Sequence, residues 1–546
     1  MNMIDQFPTT KDFEKSQKLK RNFVTTLVVA AICVVVGTMT AIAYLLPQQD
    51  TPKIMFATAA LLALLAIPVV VAYRPQLGLY IVFIGSLLFP QTHDLQVPTM
   101  PASYVPFWWN VSTIGQTSWQ SNNLNGLAIS PAEIIMVLTF LVWIVRTVAL
   151  RQFKFNIGPF FWPIAAYMAM VAVGFVNGIT HGGNITMALY EVRGQAYFFL
   201  VYVMMVNLVE ERRQLMTLLW LVVICNFIQG LGGTITYLLN RSTITEDGFM
   251  QHDESLILNL VFFVAMMAGS LGVDRRLRWA AIAVTPFALM AVLGNQRRAS
   301  IAAFIIAFIP MLPMLWTLLK SKRAQIGKLG IIFGLTFAIY LPLAWNANGP
   351  LALPARAIRS QTEPSARDAA SNGYRDSENF DVTTTRDASP IIGYGYGKPF
   401  MQPVPLPAVS TDFVYYMPHN SVLWVWMRLG HIGFFLFWMM ISVFIIRGLE
   451  ILKSIRLPET RLIGLLAITM VLMMLTFGKF DLALVDLRVL TITAVLLGAL
   501  AVLPKIEKQA GEGGTPLAPV EDDEDIKTDL AYGPLTHGRN RGALPF

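Results

Sequence analysis

The chain has little charge. Asp, Glu, Lys and Arg make up 14% of its 546 residues against 55% hydrophobic residues, a balance that excludes an ordinary soluble domain. Apolar runs recur almost to the C-terminus, as in a polytopic membrane protein. Cysteine is scarcer still: Cys33 and Cys225 are the two, both inside apolar runs, where an inert packing role is expected. They say nothing about redox compartment. The first apolar run lacks a small-residue cleavage site and is expected to stay as an anchor. No internal repeat is visible, which counts against a transporter built from repeated halves. The net charge of +8 lies mostly in short basic collars beside the apolar runs, so it argues topology and not nucleic-acid binding.

What is present is a series of runs close to the roughly 20 residues that cross a bilayer as helix. Helices satisfy their own backbone hydrogen bonds in lipid, so an all-α bundle is expected. The spans read as 23–46, 54–73, 77–89, 131–150, 159–178, 191–209, 215–239, 255–273, 279–293, 299–319, 329–345, 421–446, 462–477 and 487–503, about fourteen in all. The third is short for a span, and Arg74-Pro75 ahead of it suits a bend. The organisation that follows is an N-terminal segment 1–22, a membrane domain 23–503 with a large loop 347–420 inserted before the twelfth span, and an acidic tail 505–546 expected to be disordered.

Lys and Arg mark the cytoplasmic side of short loops. Counting from Lys11, Lys15, Lys18, Lys20 and Arg21, the same side collects Arg74, Arg151, Lys154, Arg212-Arg213, Arg275-Arg276, Lys320, Lys322, Arg323 and Arg456. Both termini are then cytoplasmic, and 347–420 is an outer, periplasmic loop. Outer connections are poor in basic residues, with one exception: Arg297-Arg298 occupies a very short one. Two outer loops are long enough to hold structure. The first, 91–130, carries Tyr104, Phe107, Trp108, Trp109 and Trp119 and is expected to lie along the interface as an aromatic belt. The second, 347–420, is too long for a plain connector.

Near the end of that second loop stands Pro390-Ile391-Ile392-Gly393-Tyr394-Gly395-Tyr396-Gly397. Pro418-His419-Asn420 then leads into the next span, which contains Gly430-His431-Ile432-Gly433. Upstream are Asn295-Gln296-Arg297-Arg298-Ala299-Ser300 and Glu191-Val192-Arg193-Gly194. In order and spacing these segments, over roughly residues 130–480, resemble the O-antigen ligase and O-antigen polymerase superfamily. Arg428 is a departure, since relatives often carry an acidic residue there. The resemblance implies a GT-C-like membrane glycosyltransferase of the bacterial inner membrane that works without metal or cofactor and inverts the anomeric centre. Its donor would be an undecaprenyl-diphosphate-linked glycan and its acceptor a glycan or a lipid A-core. Membrane lipids and polysaccharide assembly proteins are further candidate partners.

The residue types fit that chemistry on their own terms. A diphosphate leaving group is dianionic, and arginine offers it a planar fork of donors that stays charged. Arg193, Arg297 and Arg298 fall at outer span ends, where their charge would stabilise the departing phosphate. Only one of the adjacent pair is expected to face the cavity, since neighbouring helical residues diverge. His419 titrates near neutrality and is the candidate general base for the acceptor hydroxyl, with Asn420 beside it. Arg386 and Arg428 are candidates for diphosphate or glycan contact. Gly393, Gly395 and Gly397 permit turns and close approach, to a ligand or to another segment. His252 and His181 are secondary candidates, and a tight turn is the plainer role of the glycines. A flippase or transporter of lipid-linked glycan is the rival reading.

Overall fold

The computed structural model describes residues 66–91, 105, 107–109, 129–149, 154–241, 248–347, 349–360, 362–407 and 412–512. The N-terminal segment, the first expected span, most of the second, most of the 91–130 loop and the tail from 513 lie outside the described residues. The described helices are α1 (Pro75–Leu88), α2 (Pro131–Ala149), α3 (Phe161–Thr180), α4 (Ile185–Leu208), α5 (Arg212–Leu239), α6 (His252–Leu271), α7 (Arg275–Gly294), α8 (Arg298–Leu318), α9 (Arg323–Ala344), α10 (Leu353–Arg359), α11 (Ala366–Asp387), α12 (Ser421–Ser454), α13 (Pro458–Gly478) and α14 (Leu487–Glu512). Ten of these are long and apolar enough to cross a membrane: α2, α3, α5 to α9, α12, α13 and α14. The chain is an all-α, multi-pass integral membrane protein. α1, at 14 residues, is too short to be counted with them. α4 has the length but carries Glu191, Arg193 and Gln195 in its first half.

α13 and α14 form the centre. They are apolar all round, the pattern of a buried helix, and they are the most enclosed of the ten. α4 lies along α14, α8 and α6 lie against α13, α7 against α5, and α3 against α12. α11 crosses the end of the bundle against α12, and α10 rests on α8. At the opposite end the basic collars meet their counter-charges. Arg212 pairs with Glu459 at 3.0 Å and Lys505 with Glu210 at 3.1 Å, and Glu507 accepts from the Arg456 main-chain N–H at 2.6 Å.

Three expectations shift. α4 begins six residues before the expected edge at 191, because Asn184 caps it by accepting from Met187 N at 3.1 Å. Glu191 and Arg193 therefore sit inside a helix and not at its mouth. α14 continues through Glu512, past the expected end at 503. The aromatic belt is corrected in part: Trp108 is 1% exposed and Phe107 3%, with Trp108 Nε1 donating to Gly85 O at 3.2 Å. These rings close the end of α1 inside the protein, where the indole N–H shares the Gly85 carbonyl with the main-chain N–H of Phe89 at the helix end.

Candidate functional site

The site is assembled around a gap in α12. At Gly430 the backbone leaves the helix (φ 62°, ψ −165°), a conformation that favours glycine. The break frees the carbonyls of Met427 and Arg428 and the N–H groups of His431 and Ile432, and the Pro-Ile-Ile-Gly-Tyr-Gly segment takes all four. Tyr394 N donates to Met427 O at 2.8 Å and Gly395 N to Arg428 O at 3.1 Å. In return, His431 N donates to Pro390 O at 2.7 Å and Ile432 N to Ile391 O at 3.3 Å. The segment then crosses α3 and reaches α4, where Tyr396 N donates to Gly174 O at 3.2 Å and Asn184 N to Gly397 O at 2.7 Å. Gly393, Gly395 and Gly397 all have positive φ, and a Cβ on Gly395 would stand 2.5 Å from Gly178 N. Their role is close packing of backbone on backbone.

Beneath this segment Arg428 and Glu191 form a wholly buried ion pair, with Arg428 Nε donating to Glu191 Oε1 at 2.6 Å. Arg428 Nη1 donates to the carbonyls of Gly395 and Lys398 at 2.7 and 2.8 Å, and Nη2 to that of Tyr416 at 2.8 Å. Glu191 accepts from Gly397 N at 2.6 Å and Trp424 Nε1 at 3.0 Å. A buried pair persists only when its remaining donors and acceptors are satisfied, and this one is met from five directions. Arg428 has no exposed surface from which to touch a glycan or a diphosphate. It holds the loop segment, the Tyr416 turn and α4 to one point.

At the mouth of α12, His419 meets α11. Glu378, 1% exposed, accepts the His419 main-chain N–H at 3.0 Å and faces the ring Nδ1 at 3.0 Å through its other oxygen. An ionised carboxylate only accepts, so Nδ1 carries the proton and Nε2 is the nitrogen able to take another. The next residue pair repeats the bridge: Asn420 Nδ2 donates to Asn379 Oδ1 at 3.2 Å, while Asn420 Oδ1 caps α12 at Leu423 N, 3.1 Å. Tyr374 stands edge-on to the imidazole at 5.7 Å. Burial works against a charged His419, and Glu378 with Asp481 behind it more than offsets that, so its pKa lies above the ordinary 6.5. Asp481 in turn bonds His252 Nδ1 at 2.5 Å. His252 and His419, held near its opposite charge, keep the Asp481 carboxyl well below the usual range in spite of its burial.

The arginine pair lies on a tightly specified turn. Asn295 is fully buried, and its Oδ1 accepts from Phe249 N and Met250 N at 3.0 and 2.8 Å. Gln296 is the one non-glycine with positive φ (55°) among the described residues, a strain of the kind that clusters at functional sites. Arg297 then caps α8 and Arg298 begins it. Arg298 Nη1 lies 3.4 Å from Asp368 Oδ1 of α11. Arg356 of α10 donates to Gln296 Oε1 at 3.2 Å. Arg356, Arg367 and Arg375 all act on Arg298 as like charges, and Arg375 also acts on His419. α11 therefore holds both groups, Arg298 through Asp368 and His419 through Glu378.

The other candidates are placed elsewhere. Arg193 stacks over Tyr190 at 4.5 Å and faces Glu133 at 3.9 Å. Arg386 covers Trp426 at 4.2 Å and pairs with Asp387 at 2.7 Å, at the far end of α11 from Arg367 and Asp368. His181 is exposed, with its Nδ1 on Asn177 O at 2.8 Å. Two charges of the last outer turn pair with α6: Arg488 Nη1 meets Asp253 at 2.9 Å, and Asp481 meets His252.

Glu378 and Arg356 carry no mark in the sequence, and Arg367-Asp368 and Arg375-Asp376 read there as solvated surface pairs, because the polar loop 347–420 has no apolar stripe to align them. One signal was available: Asp368, Glu378, Asp381, Val382 and Thr385 are the buried residues of α11, and the last four recur at spacings of three or four, as on one helix face. No protein-family model and no curated protein matches the chain. What the fold defines directly is a multi-pass membrane protein with a polar, helix-roofed site at one end of the bundle.

Proposed function

We propose that the chain is a membrane glycosyltransferase, similar to the O-antigen ligases and polymerases. It transfers a glycan from undecaprenyl diphosphate to an acceptor hydroxyl at the periplasmic face of the bacterial inner membrane. The observation that carries the reading is the imidazole of His419, oriented by buried Glu378 of α11, the same helix whose Asp368 faces Arg298. The motif resemblance supports it, and so does the basic opposite end, which the charge rule assigns to the cytoplasm.

In the proposed reaction His419 Nε2 takes the proton of the acceptor hydroxyl as its oxygen attacks the anomeric carbon. The bond from that carbon to the diphosphate oxygen breaks, the configuration inverts, and Arg298 with its neighbours stabilises the charge left on the diphosphate. The imidazolium that forms is stabilised by Glu378. Ligation to a lipid A-core and polymerisation of repeat units share this chemistry.

The rival transporter draws on the broken helix α12, since broken helices expose carbonyls to cargo. Here those carbonyls are already taken by the 390–395 segment. Transfer of glycan from a defined polyprenyl-diphosphate donor tests the proposal. His419→Ala is expected to lower turnover on the order of 10²-fold or more, and Arg298→Gln similarly. Normal turnover in both folded variants, or a transport defect without loss of transfer, would overturn it.

A further inference from the structure

The start of α6 is bonded to both halves of the candidate site. On one side it meets the arginine turn. Asn295 Oδ1 accepts from Phe249 N and Met250 N, and its Nδ2 donates to Gln251 O at 3.4 Å. Arg297 Nε comes within 3.3 Å of where a Cβ on Gly248 would stand. On the other side it meets the mouth of α12. His252 Nδ1 bonds Asp481 Oδ2 at 2.5 Å, and the Asp481 carbonyl accepts from Ser421 Oγ at 3.0 Å, two residues beyond His419. Asp253 ties the same turn to Arg488 of α14, and Glu254 caps it by accepting from Gln251 N at 3.1 Å. Of the first three side chains of α6, Asp253 and Glu254 are buried, whereas His252 is 43% exposed.

The His252 ring is held as firmly as that of His419. Asp481 is buried, and a buried carboxylate is costly unless it is paired, so this tether is more than a solvent-facing histidine requires. The charges of His252 and His419 keep Asp481 ionised. An ionised carboxylate only accepts, so His252 Nδ1 carries the proton and Nε2 is the nitrogen able to accept another hydrogen bond. Asp481 thus bonds one imidazole and feels the charge of the other.

Inversion places the attacking and leaving oxygens on opposite faces of the anomeric carbon. With the acceptor hydroxyl at His419 and the diphosphate at Arg298, the sugar ring lies between them, beside the element that joins the two. That element is the first turn of α6. We propose that His252 selects the donor sugar, its Nε2 accepting a hydrogen bond from a hydroxyl of the unit being transferred. The inference rests on the reading of the chain as a glycosyltransferase and adds a residue that discriminates among its donors. A sugar with hydrogen or an O-alkyl group at the contacted position has no proton to give and is disfavoured.

The test supplies the full chain, in phosphatidylcholine nanodiscs, with undecaprenyl diphosphate carrying glucose, galactose or N-acetylglucosamine, and with the monodeoxy analogues of whichever sugar is transferred. In the wild type at least one deoxy position is expected to lower kcat/KM by up to about tenfold, as loss of one hydrogen bond implies. In His252→Asn, whose amide can stand where Nδ1 stood and keep the bond to Asp481, the penalty at one such position is expected to vanish while any others persist. In His252→Gln, whose amide oxygen can replace Nε2 as acceptor, that penalty is expected to return in part. A purely structural His252 would instead slow transfer of every donor by one common factor. That result, or the absence of any deoxy penalty in the wild type, would overturn the proposal. The reaction and the contact are told apart in the same assay. His419-dependent transfer whose deoxy penalties are untouched in His252→Asn sinks the contact alone, whereas a wild type that transfers none of the three sugars sinks the reaction and the contact with it.

Discussion

Glu378 holds His419 at two points, accepting the main-chain N–H through one oxygen and facing ring Nδ1 through the other, each at 3.0 Å. A ring fixed in this way cannot rotate to present Nδ1 instead of Nε2. The carboxylate sets both its tautomer and its charge.

Glu378→Gln is therefore expected to lower transfer and to move its acid limb toward lower pH. His419 must be neutral to accept a proton, and Glu378 raises its pKa above 6.5. Removing that carboxylate brings the pKa down. The sign for stability follows from the same shift: a raised folded pKa stabilises the fold fully below 6.5 and ceases to do so as pH rises through the raised value. A pH–rate profile of both proteins checks the limb, and an unmoved limb would sink the assignment of His419 as base.

Arg375→Gln should displace that limb in the opposite direction. Arg375 acts as a like charge on His419, so its removal raises the histidine pKa and the acid limb moves to higher pH. The same variant loses one arginine of the anion cluster, so the KM for the lipid-linked donor is expected to rise. A general folding defect would lower activity without moving the two limbs apart.

The Arg428–Glu191 pair predicts a loss of stability and not of chemistry. Arg428→Met leaves a buried carboxylate unpaired and is expected to cost about 3–5 kcal/mol, read as a lower unfolding temperature in detergent. Arg428→Lys should rescue little, since a single ammonium cannot reproduce a fork serving Glu191 and three carbonyls at once. Full stability in Arg428→Lys would contradict the arrangement.

Two glycines near the site should respond oppositely to alanine. Gly395 has φ +82° and backbone 2.5 Å from where a Cβ would lie, so Gly395→Ala is expected to destabilise by roughly 1–3 kcal/mol or more. Gly373 sits within α11 with open space around its Cβ position. Gly373→Ala should stabilise by about 0.5–1 kcal/mol. Thermal unfolding of the two variants, measured side by side, decides it.

The sequence by itself located the ten helices that are long and apolar enough to cross a membrane. Bilayer thickness fixes the length of an apolar run and a helix bonds its own backbone, so α5 to α8 and α13 could be read without knowing their neighbours. It also singled out Gly393, Gly395 and Gly397, and the pairing of His419 with Asn420. Only the tertiary structure decided what these residues do. Arg428 looks from its sequence like an intramembrane charge awaiting a ligand, yet it is spent on Glu191, 237 residues away. Glu378 lies in a polar loop with no mark of function, yet it grips a histidine 41 residues on. Hydropathy reports how one segment meets lipid or water, whereas a side chain's partner depends on which helix ends the packed bundle brings together.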